Sequence, residues 1–308
     1  MDNTTNHLVG IVPVAKKHSI FNTIWDDGLI RIGKDLNAIQ AAVLDCASAG
    51  CTSIWINADY EQISLLKREV GSWIQDPVYF WRKHARYPAE HKRYIPIFYS
   101  WNHQKDVDRR DSYSWGILNA SMVATNIAKN ISKKLIPSMF YVAFPFSATS
   151  SWQAQKHRKI LMKKRFCFSH NGETFLDNNM LSFTFTQSDL KEAIKNVKQK
   201  GTGFYMPAPE GMEDPNWKKP RPKEERWSAR FFGLNEVFSF LDIKGYETAT
   251  AKYYYPINSW EEYVTFMKSD IELKAPHKTY FYNREKEVIN GYEETEETRD
   301  YSFTQEDE

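Results

Sequence analysis

Residues 8–15 read LVGIVPVA, a continuous apolar run that is too short to be a typical helix. Such a run is typical of a strand that is buried on both faces of a parallel sheet. After a polar loop, apolar residues at positions 36, 39, 42, 43 and 47 predict one face of a helix, and Gly50 is placed to end it in the left-handed conformation. Residues 53–57, SIWIN, predict a second strand. Strand, helix and strand in this order predict a right-handed parallel crossover.

Strands and helices continue to alternate as far as residue 146. Residues 94–99 (YIPIFY) and 139–146 (MFYVAFPF) are predicted strands, and residues 115–132 repeat their apolar positions at helical spacing. The short apolar run at residues 29–32 (LIRI) predicts a further strand. This order indicates an α/β fold in which a mostly parallel sheet lies between helices.

The second half of the chain, from residue 147, is more polar and richer in turn signals. His170-Asn171-Gly172 predicts a hairpin turn between two strand-like stretches, and residues 188–200 have a helical pattern. Residues 206–226 contain five prolines and predict a long surface loop. We therefore expect a β-rich insertion in the C-terminal half.

Charge is distributed unevenly along the chain. Residues 285–308 contain ten acidic and two basic residues, a net charge of −8, so residues 1–284 carry +10 of the total of +2. A moderately basic body favours anionic ligands such as nucleotide phosphates or nucleic acid. The acidic tail has few aliphatic residues, and we expect it to be disordered.

Several classes of protein are disfavoured by the sequence. None of Cys46, Cys51 and Cys167 forms a Cys-x-x-Cys pair, so we expect free, buried thiols and a reducing compartment. Neither a zinc-type histidine pair nor a glycine-rich NAD fingerprint is present. The first residues do not read as a signal peptide, and no run of 18 apolar residues predicts a membrane span. We expect a cytoplasmic protein that uses neither zinc nor NAD and does not bind a membrane.

The first elements also form a recognisable series. The series is GIVPVA at residues 10–15, LIRI at 29–32, Gly33-Lys34-Asp35-Leu36, a helix that ends in Ala49-Gly50-Cys51, and SIWI at 53–56. In order and spacing, it resembles the opening of sugar-nucleotide pyrophosphorylases and related nucleotidyltransferases. The resemblance implies a Rossmann-like (GT-A type) mixed sheet, a nucleotide or sugar nucleotide as ligand, and Mg²⁺ or Mn²⁺ as cofactor. It also implies one domain at residues 1–284, with a nucleotide-binding half at 1–146 and an acceptor or substrate half at 147–284.

The sequence departs from that family at the residues that bind phosphate. The family's first loop is rich in glycine, whereas residues 16–22 (KKHSIFN) contain none, so Lys16 and Lys17 are the predicted phosphate ligands. Arg109 and Arg110, which follow the strand at 94–99, are predicted to join them. The family's phosphate-binding lysine is replaced at Asp27-Gly28, and the carboxylate that follows its fourth strand is replaced by Phe144-Pro145-Phe146.

Two pairs of carboxylates are candidates for a metal or catalytic role. Asp106 and Asp108 have the Asp-x-Asp spacing with which GT-A glycosyltransferases bind a metal and a sugar diphosphate. Asp26 and Asp27 could hold a divalent cation through oxygen ligands. The alternative is that both pairs lie in solvated loops, with Arg109 and Arg110 neutralising the first pair.

A second kind of function stays open at this point. Arg82, Lys83, His84 and Arg86 alternate with aromatic residues between positions 79 and 87, a texture that nucleic-acid-binding proteins share, and residues 156–165 are also basic. The chain is therefore either a divergent nucleotidyltransferase or glycosyltransferase, or a catalytically inactive relative that binds nucleic acid or another protein. The sequence does not predict the oligomeric state.

Overall fold

The fold is that of a computed structural model of the full chain. The structure describes residues 7–14, 21–23, 26–33, 36–78, 94–103, 112–149, 153–200, 205–212, 214, 216–222, 232–271, 273 and 281–282. Within these residues, no helix is long and apolar enough to cross a membrane. The predicted acidic tail at 285–308 lies outside them.

The structure describes thirteen strands and seven α-helices. The strands are β1 (Leu8–Pro13), β2 (Arg31–Gly33), β3 (Leu36–Asn37), β4 (Ser53–Ala58), β5 (Trp73–Gln75), β6 (Tyr94–Trp101), β7 (Met139–Val142), β8 (Ser147–Thr149), β9 (Phe166–Ser169), β10 (Phe183–Thr186), β11 (Glu247–Thr250), β12 (Tyr254–Pro256) and β13 (Phe281–Tyr282). The helices are α1 (Ala38–Ala49), α2 (Ile63–Val70), α3 (Tyr113–Ile131), α4 (Gln153–Leu161), α5 (Gln187–Lys200), α6 (Leu234–Phe238) and α7 (Trp260–Met267).

One sheet of nine strands runs through both halves of the chain, in the order β11-β9-β10-β7-β1-β4-β6-β5-β13. The four central strands β7, β1, β4 and β6 are mutually parallel. β10 is antiparallel to both of its neighbours, β7 and β9, and β5 is antiparallel to both of its neighbours, β6 and β13. The sheet is therefore mixed and mostly parallel, which confirms the predicted Rossmann-like α/β class.

β1 lies at the centre of this sheet because both of its faces are apolar. On one face, Leu8 and Val12 pack in a cluster with α1 and α4, and on the other, Val9 and Ile11 pack with α3 and α5. All six residues of the strand are buried. A helix layer covers each side of the strand. This explains why the apolar run at residues 8–15 shows no alternation with polar residues.

Two predicted elements differ from the structure at their ends. Residues 29–32 do not form a strand of the main sheet, because Asp26 caps a 3₁₀ turn at Asp27–Leu29 and β2 pairs only with β3 in a small hairpin. The predicted strand at 139–146 stops at Val142 and continues as a turn. At residues 170–173, Asn171 and Gly172 have φ of 52° and 84°, which confirms the predicted turn.

Gly50 ends α1 in the left-handed region, with φ of 95°, as the sequence predicts. A Cβ atom at this position would overlap the side chain of Arg158 on α4. That side chain is held in place, since its Nη1 and Nη2 donate to Asp76 Oδ1 and Oδ2 at 3.1 and 2.6 Å. The Asp76 side chain is only 1% exposed, so the ion pair is desolvated and its geometry is fixed.

We predict that Gly50→Ala lowers the free energy of unfolding by about 2 kcal/mol or more, measured by urea denaturation. An alanine in the left-handed region costs about 1–2 kcal/mol by itself, and here it must also displace Arg158. Gly172→Ala is the matched control, because Gly172 has a similar φ of 84° and no atom within 4 Å of an added Cβ. Equal losses in the two variants would show that Arg158 can move freely.

A carboxyl group is buried between α1 and the sheet. Asp45 Oδ2 accepts hydrogen bonds from Tyr141 Oη at 2.7 Å and from Ser182 Oγ at 3.0 Å. Burial raises the pKa of Asp45 from 3.8 to about 7, although the two hydroxyl donors lower the pKa in part. Within the folded protein this group is therefore protonated at mildly acidic pH.

We predict that Asp45 contributes a loss of stability to the native chain as the pH rises from about 4 to 7. The folded state binds the Asp45 proton more tightly than the unfolded state, so the favourable contribution is complete below the unfolded pKa and is lost as the pH passes the folded pKa. Asp45→Asn should remove this loss of stability. Between pH 4.5 and 8, the free energy of unfolding of the variant should therefore rise by a few kcal/mol relative to that of the parent. Thermal melts at a series of pH values measure the difference, and parallel pH profiles would contradict the prediction.

Candidate functional site

The four parallel strands β1, β4, β6 and β7 end at the same edge of the sheet. From β1 the chain moves outward on one side to β4 and β6, and after α3 it returns to β7 on the other side of β1. The direction of winding therefore changes between β1 and β7. In open α/β sheets, ligands bind outside the carboxyl ends of the strands at such a switch point.

A buried amide network lies at this edge. Asn57, near the end of β4, is fully buried, and its Oδ1 accepts hydrogen bonds from Ser100 Oγ at 3.2 Å and Asn119 Nδ2 at 2.9 Å. Its Nδ2 donates to Asn102 Oδ1 at 3.2 Å. Asn119 on α3 also donates to the carbonyl of Trp101 at 2.8 Å. The network therefore fixes the ends of β4 and β6 relative to α3.

Gly116 allows α3 to lie close to the strand ends. A Cβ atom on this residue would lie 3.1 Å from Asn57 Nδ2 and 3.5 Å from Pro13 Cβ. Ser112 begins the helix, because its Oγ accepts the Trp115 backbone N–H at 3.2 Å. The amino terminus of a 19-residue helix is thus held at the same edge as the ends of β1 and β4.

Asp26 and Asp27 lie beside the start of α3. Burial raises the pKa of Tyr113, and the negative charges of these two carboxyl groups raise it further. Both groups have local roles: Asp26 Oδ1 accepts the Gly28 N–H at 2.7 Å, and buried Asp27 accepts the Thr23 hydroxyl at 3.0 Å. The structure therefore brings this candidate pair to the edge of the sheet and also shows that the pair stabilises its own turn.

The described residues do not make a metal site by themselves. Within the described ranges, no three His, Cys, Asp or Glu side chains are placed to share an ion. β7 ends at Val142, and the next residues, Ala143 and Phe144, are buried and apolar. Since Mg²⁺ is commonly held by one or two carboxylates together with substrate phosphates, Asp26 and Asp27 could contribute to a metal site but do not complete one.

The other predicted site residues belong to parts of the chain that the structure does not describe. Lys16 and Lys17 lie in the gap at 15–20, and the gap at 104–111 contains four more: Asp106, Asp108, Arg109 and Arg110. The basic and aromatic stretch at 79–87 lies in the gap at 79–93. Their roles stay predictions.

The basic segment at 156–165 is partly explained by ion pairs within the fold. Arg158 binds Asp76, Arg165 Nη2 lies 2.5 Å from Asp189 Oδ1, and Lys164 Nζ lies 2.5 Å from Glu247 Oε1. These pairs fix α4 and β9 to neighbouring elements. Arg158, Lys164 and Arg165 of this basic cluster therefore make structural contacts.

The amide network was not predicted from the sequence. Its signal was present, because Asn57 ends the apolar run SIWIN, and Ser100 and Asn102 follow YIPIFY. A polar residue at the end of a buried strand has to find a hydrogen-bond partner. The sequence does not show, however, that the partners of Asn57 come from β6 and α3.

We predict that Asn57→Ala lowers the free energy of unfolding by about 2–4 kcal/mol, because it leaves several buried polar partners unpaired at about 1–3 kcal/mol each. Asn119→Ala is the control: Asn119 is only half-buried, and its partners keep other bonds or can reach water, so about 1 kcal/mol is expected. Urea denaturation measures both values. Equal losses would mean that Asn57 is not the centre of the network.

Comparisons with known proteins give a fold and no family. No family model matches the sequence, and no curated protein does. Among solved structures, a protein from Bacillus anthracis that is assigned as a glucose-1-phosphate thymidylyltransferase, solved with sucrose, is similar with a TM-score of 0.51 at 10% identity, over 87% of this chain and 98% of that chain.

Two further likenesses are weaker and carry no argument. A nucleoside-diphosphate-sugar pyrophosphorylase from Vibrio cholerae has a TM-score of 0.45 at 11% identity, over 84% of this chain and 100% of that one. A 4-diphosphocytidyl-2C-methyl-D-erythritol synthase from Anaerococcus prevotii has a TM-score of 0.43 at 9% identity, over 85% of this chain and 94% of that chain. The similarity to the Bacillus anthracis structure shows that this chain has a nucleotidyltransferase-like α/β fold, as the order of its first elements predicts.

Proposed function

We propose that this chain is a divergent nucleotidyltransferase or glycosyltransferase that binds a nucleotide or sugar nucleotide at the carboxyl edge of β1, β4, β6 and β7. The observation that carries the proposal is the buried network around Asn57, which fixes the switch-point edge and the start of α3. Preorganised polar groups at such an edge are what a ligand-binding site requires. The nucleotidyltransferase-like fold supports the class of ligand.

Lys16, Lys17, Arg109 and Arg110 are the proposed phosphate ligands. Lys16 and Lys17 come three and four residues after the end of β1, and Arg109 and Arg110 fall between the end of β6 and the start of α3. Both segments therefore leave the sheet at the carboxyl edge. Two or three phosphate charges need cations there, because residues 16–22 contain no glycine to bring backbone amides close to them.

Asp106 and Asp108 are the proposed ligands of Mg²⁺ or Mn²⁺, and Asp26 and Asp27 are the second candidate pair. A divalent cation shared with the ligand phosphates would neutralise charge during group transfer. The buried side chains after β7 cannot supply the carboxylate that the family has there. The metal dependence of nucleotide binding is therefore part of the test.

The second candidate function is a catalytically inactive relative that binds nucleic acid or protein. The residues Phe144-Pro145-Phe146 after β7 favour it, because they stand where the family that the sequence resembles has a metal-binding carboxylate. A thermal-shift screen of nucleoside triphosphates and sugar nucleotides, with and without Mg²⁺ or Mn²⁺, separates the two. Stabilisation by a nucleotide supports the transferase. Salt-dependent binding of nucleic acid without any response to nucleotides supports the alternative.

We predict that Lys16→Ala/Lys17→Ala weakens nucleotide binding at least tenfold, about 1.4 kcal/mol, and leaves the melting temperature of the free protein unchanged. Isothermal titration calorimetry measures the affinity. The matched control is Lys133→Ala/Lys134→Ala, which removes the same charge from two exposed lysines before β7, at the opposite edge of the sheet. Equal weakening in both variants would indicate a general charge effect, and no weakening in either would contradict the assigned phosphate site.

A further inference from the structure

Helix α7 carries apolar side chains on an outward side as well as on its core side. Phe266 is buried in a cluster with residues of β2, β3 and α1. Trp260, Val264 and Met267, in contrast, are 52%, 41% and 53% exposed. Because positions i, i+4 and i+7 lie on one side of a helix, these three side chains form a continuous exposed stripe, the α7 stripe. Exposed apolar stripes on a surface helix mark sites of interaction.

The α7 stripe is held in one orientation. The ring of Trp260 makes edge contacts with the rings of Phe21 and Tyr263, at centroid distances of 5.0 and 5.7 Å. Tyr263 Oη donates a hydrogen bond to the carbonyl of Arg31 on β2 at 2.7 Å, which fixes the helix to the small hairpin. Trp260 therefore loses little conformational entropy when a partner covers its exposed part.

Two charged residues border the stripe at its opposite ends. Glu261 lies in the first turn of α7, and Lys268 follows its last residue directly. The two residues are seven positions apart, which is about two turns, so they lie on the same side of the stripe. Both are exposed, and neither forms an ion pair with another residue that the structure describes. The border of the stripe is therefore acidic at one end and basic at the other.

This surface is complementary to a reversed copy of itself. Around a twofold axis that passes beside Val264, two α7 helices run antiparallel and each contact occurs twice. Trp260 then faces Met267 of the second copy, which gives a favourable contact between sulfur and an aromatic ring. Glu261 faces Lys268 of the second copy, in the flanking position where charged pairs set the orientation of paired helices.

A membrane surface is a poorer match for the same stripe. Helices that lie on bilayers are rich in Lys and Arg on their polar face. The segment Trp260–Met267 contains no basic residue, and its first turn has two acidic ones, Glu261 and Glu262. The charges beside the stripe therefore favour a second copy of the chain over an anionic bilayer.

We propose that the α7 stripe is the interface of a homodimer, in which the α7 helices of two copies pack antiparallel and form two reciprocal ion pairs between Glu261 and Lys268. The inference goes beyond the proposed function and does not depend on it. A helix of eight residues is only about 12 Å long. The interface therefore belongs at the small end of the range for specific contacts, and the dimer should dissociate on dilution.

Sedimentation equilibrium of the full-length protein tests the proposal. With increasing protein concentration, the molar mass should rise from the 36.2 kDa of one chain towards twice that value. Val264→Asp places two carboxylates at the twofold axis and should keep the protein monomeric. Ile131→Asp is the matched control, because Ile131 is 68% exposed at the end of α3, and this variant should dimerise as the parent does.

Exchange of the two charges tests the antiparallel arrangement without changing an apolar residue. Lys268→Glu should raise the dissociation constant about tenfold, because it replaces two attractive pairs by two repulsive ones. Glu261→Lys/Lys268→Glu restores opposite charges and should return the constant to within about threefold of the parent. Circular dichroism melts show whether each variant is folded, and a folded double variant that stays as weak as the single one would overturn the pairing.

The other outcomes also decide the proposal. A parent that stays monomeric up to about 1 mM would overturn it, whether or not the chain binds vesicles of anionic phospholipid. A dimer that persists unchanged in folded Val264→Asp would overturn it as well, because another surface must then hold the copies together. Equal loss of the dimer in Val264→Asp and Ile131→Asp would also contradict the assignment to α7.

Discussion

The parallel pairing of β1 with β4 on one side and β7 on the other is the constraint on which the rest of the structure depends. A strand in this position has every backbone group paired within the sheet and both faces covered, so its side chains must be apolar throughout. The six buried residues Leu8–Pro13 meet that demand. Because the helix layers above and below must then be long enough to return the chain, α1 and α3 follow from the placement of β1.

Because the central strands are buried on both faces, their polar side chains are found mainly at the strand ends. Side chains within β1 and β7 cannot hydrogen-bond water, so a polar group in the interior needs a dedicated partner, as Asp45 has in Tyr141 and Ser182. At the carboxyl edge, Asn57, Ser100 and Asn102 satisfy one another across two strands and α3. The carboxyl edge of the sheet is thus held by a buried polar network.

Much of the fold could be predicted from the sequence because it depends on local patterns. The strands at 8–13, 53–58 and 94–101, the helix that ends at Gly50, and the turn at Asn171-Gly172 each follow from apolar spacing or from a glycine signal. The hairpin at 31–37 was not predicted, because the four-residue run LIRI at 29–32 does not reveal whether it joins the central sheet. The partners of Asn57, Asp45 and Arg158 lie 43 to 137 residues away in sequence, so no local pattern could identify them.

The departures from the family's motifs and the preservation of its fold have a common physical origin. The core depends on apolar volume and on backbone pairing, which many sequences can supply, and a 10% identical protein therefore shares the fold. Phosphate and metal ligands instead depend on single residues at the ends of strands, and there the sequence has no glycine in the first loop and no carboxylate after β7. If a nucleotide binds, its recognition must therefore have been rebuilt from other groups. The polar groups that the described structure places at that edge are the amides around Asn57 and the carboxylates of Asp26 and Asp27, and none of them carries the positive charge that a phosphate requires.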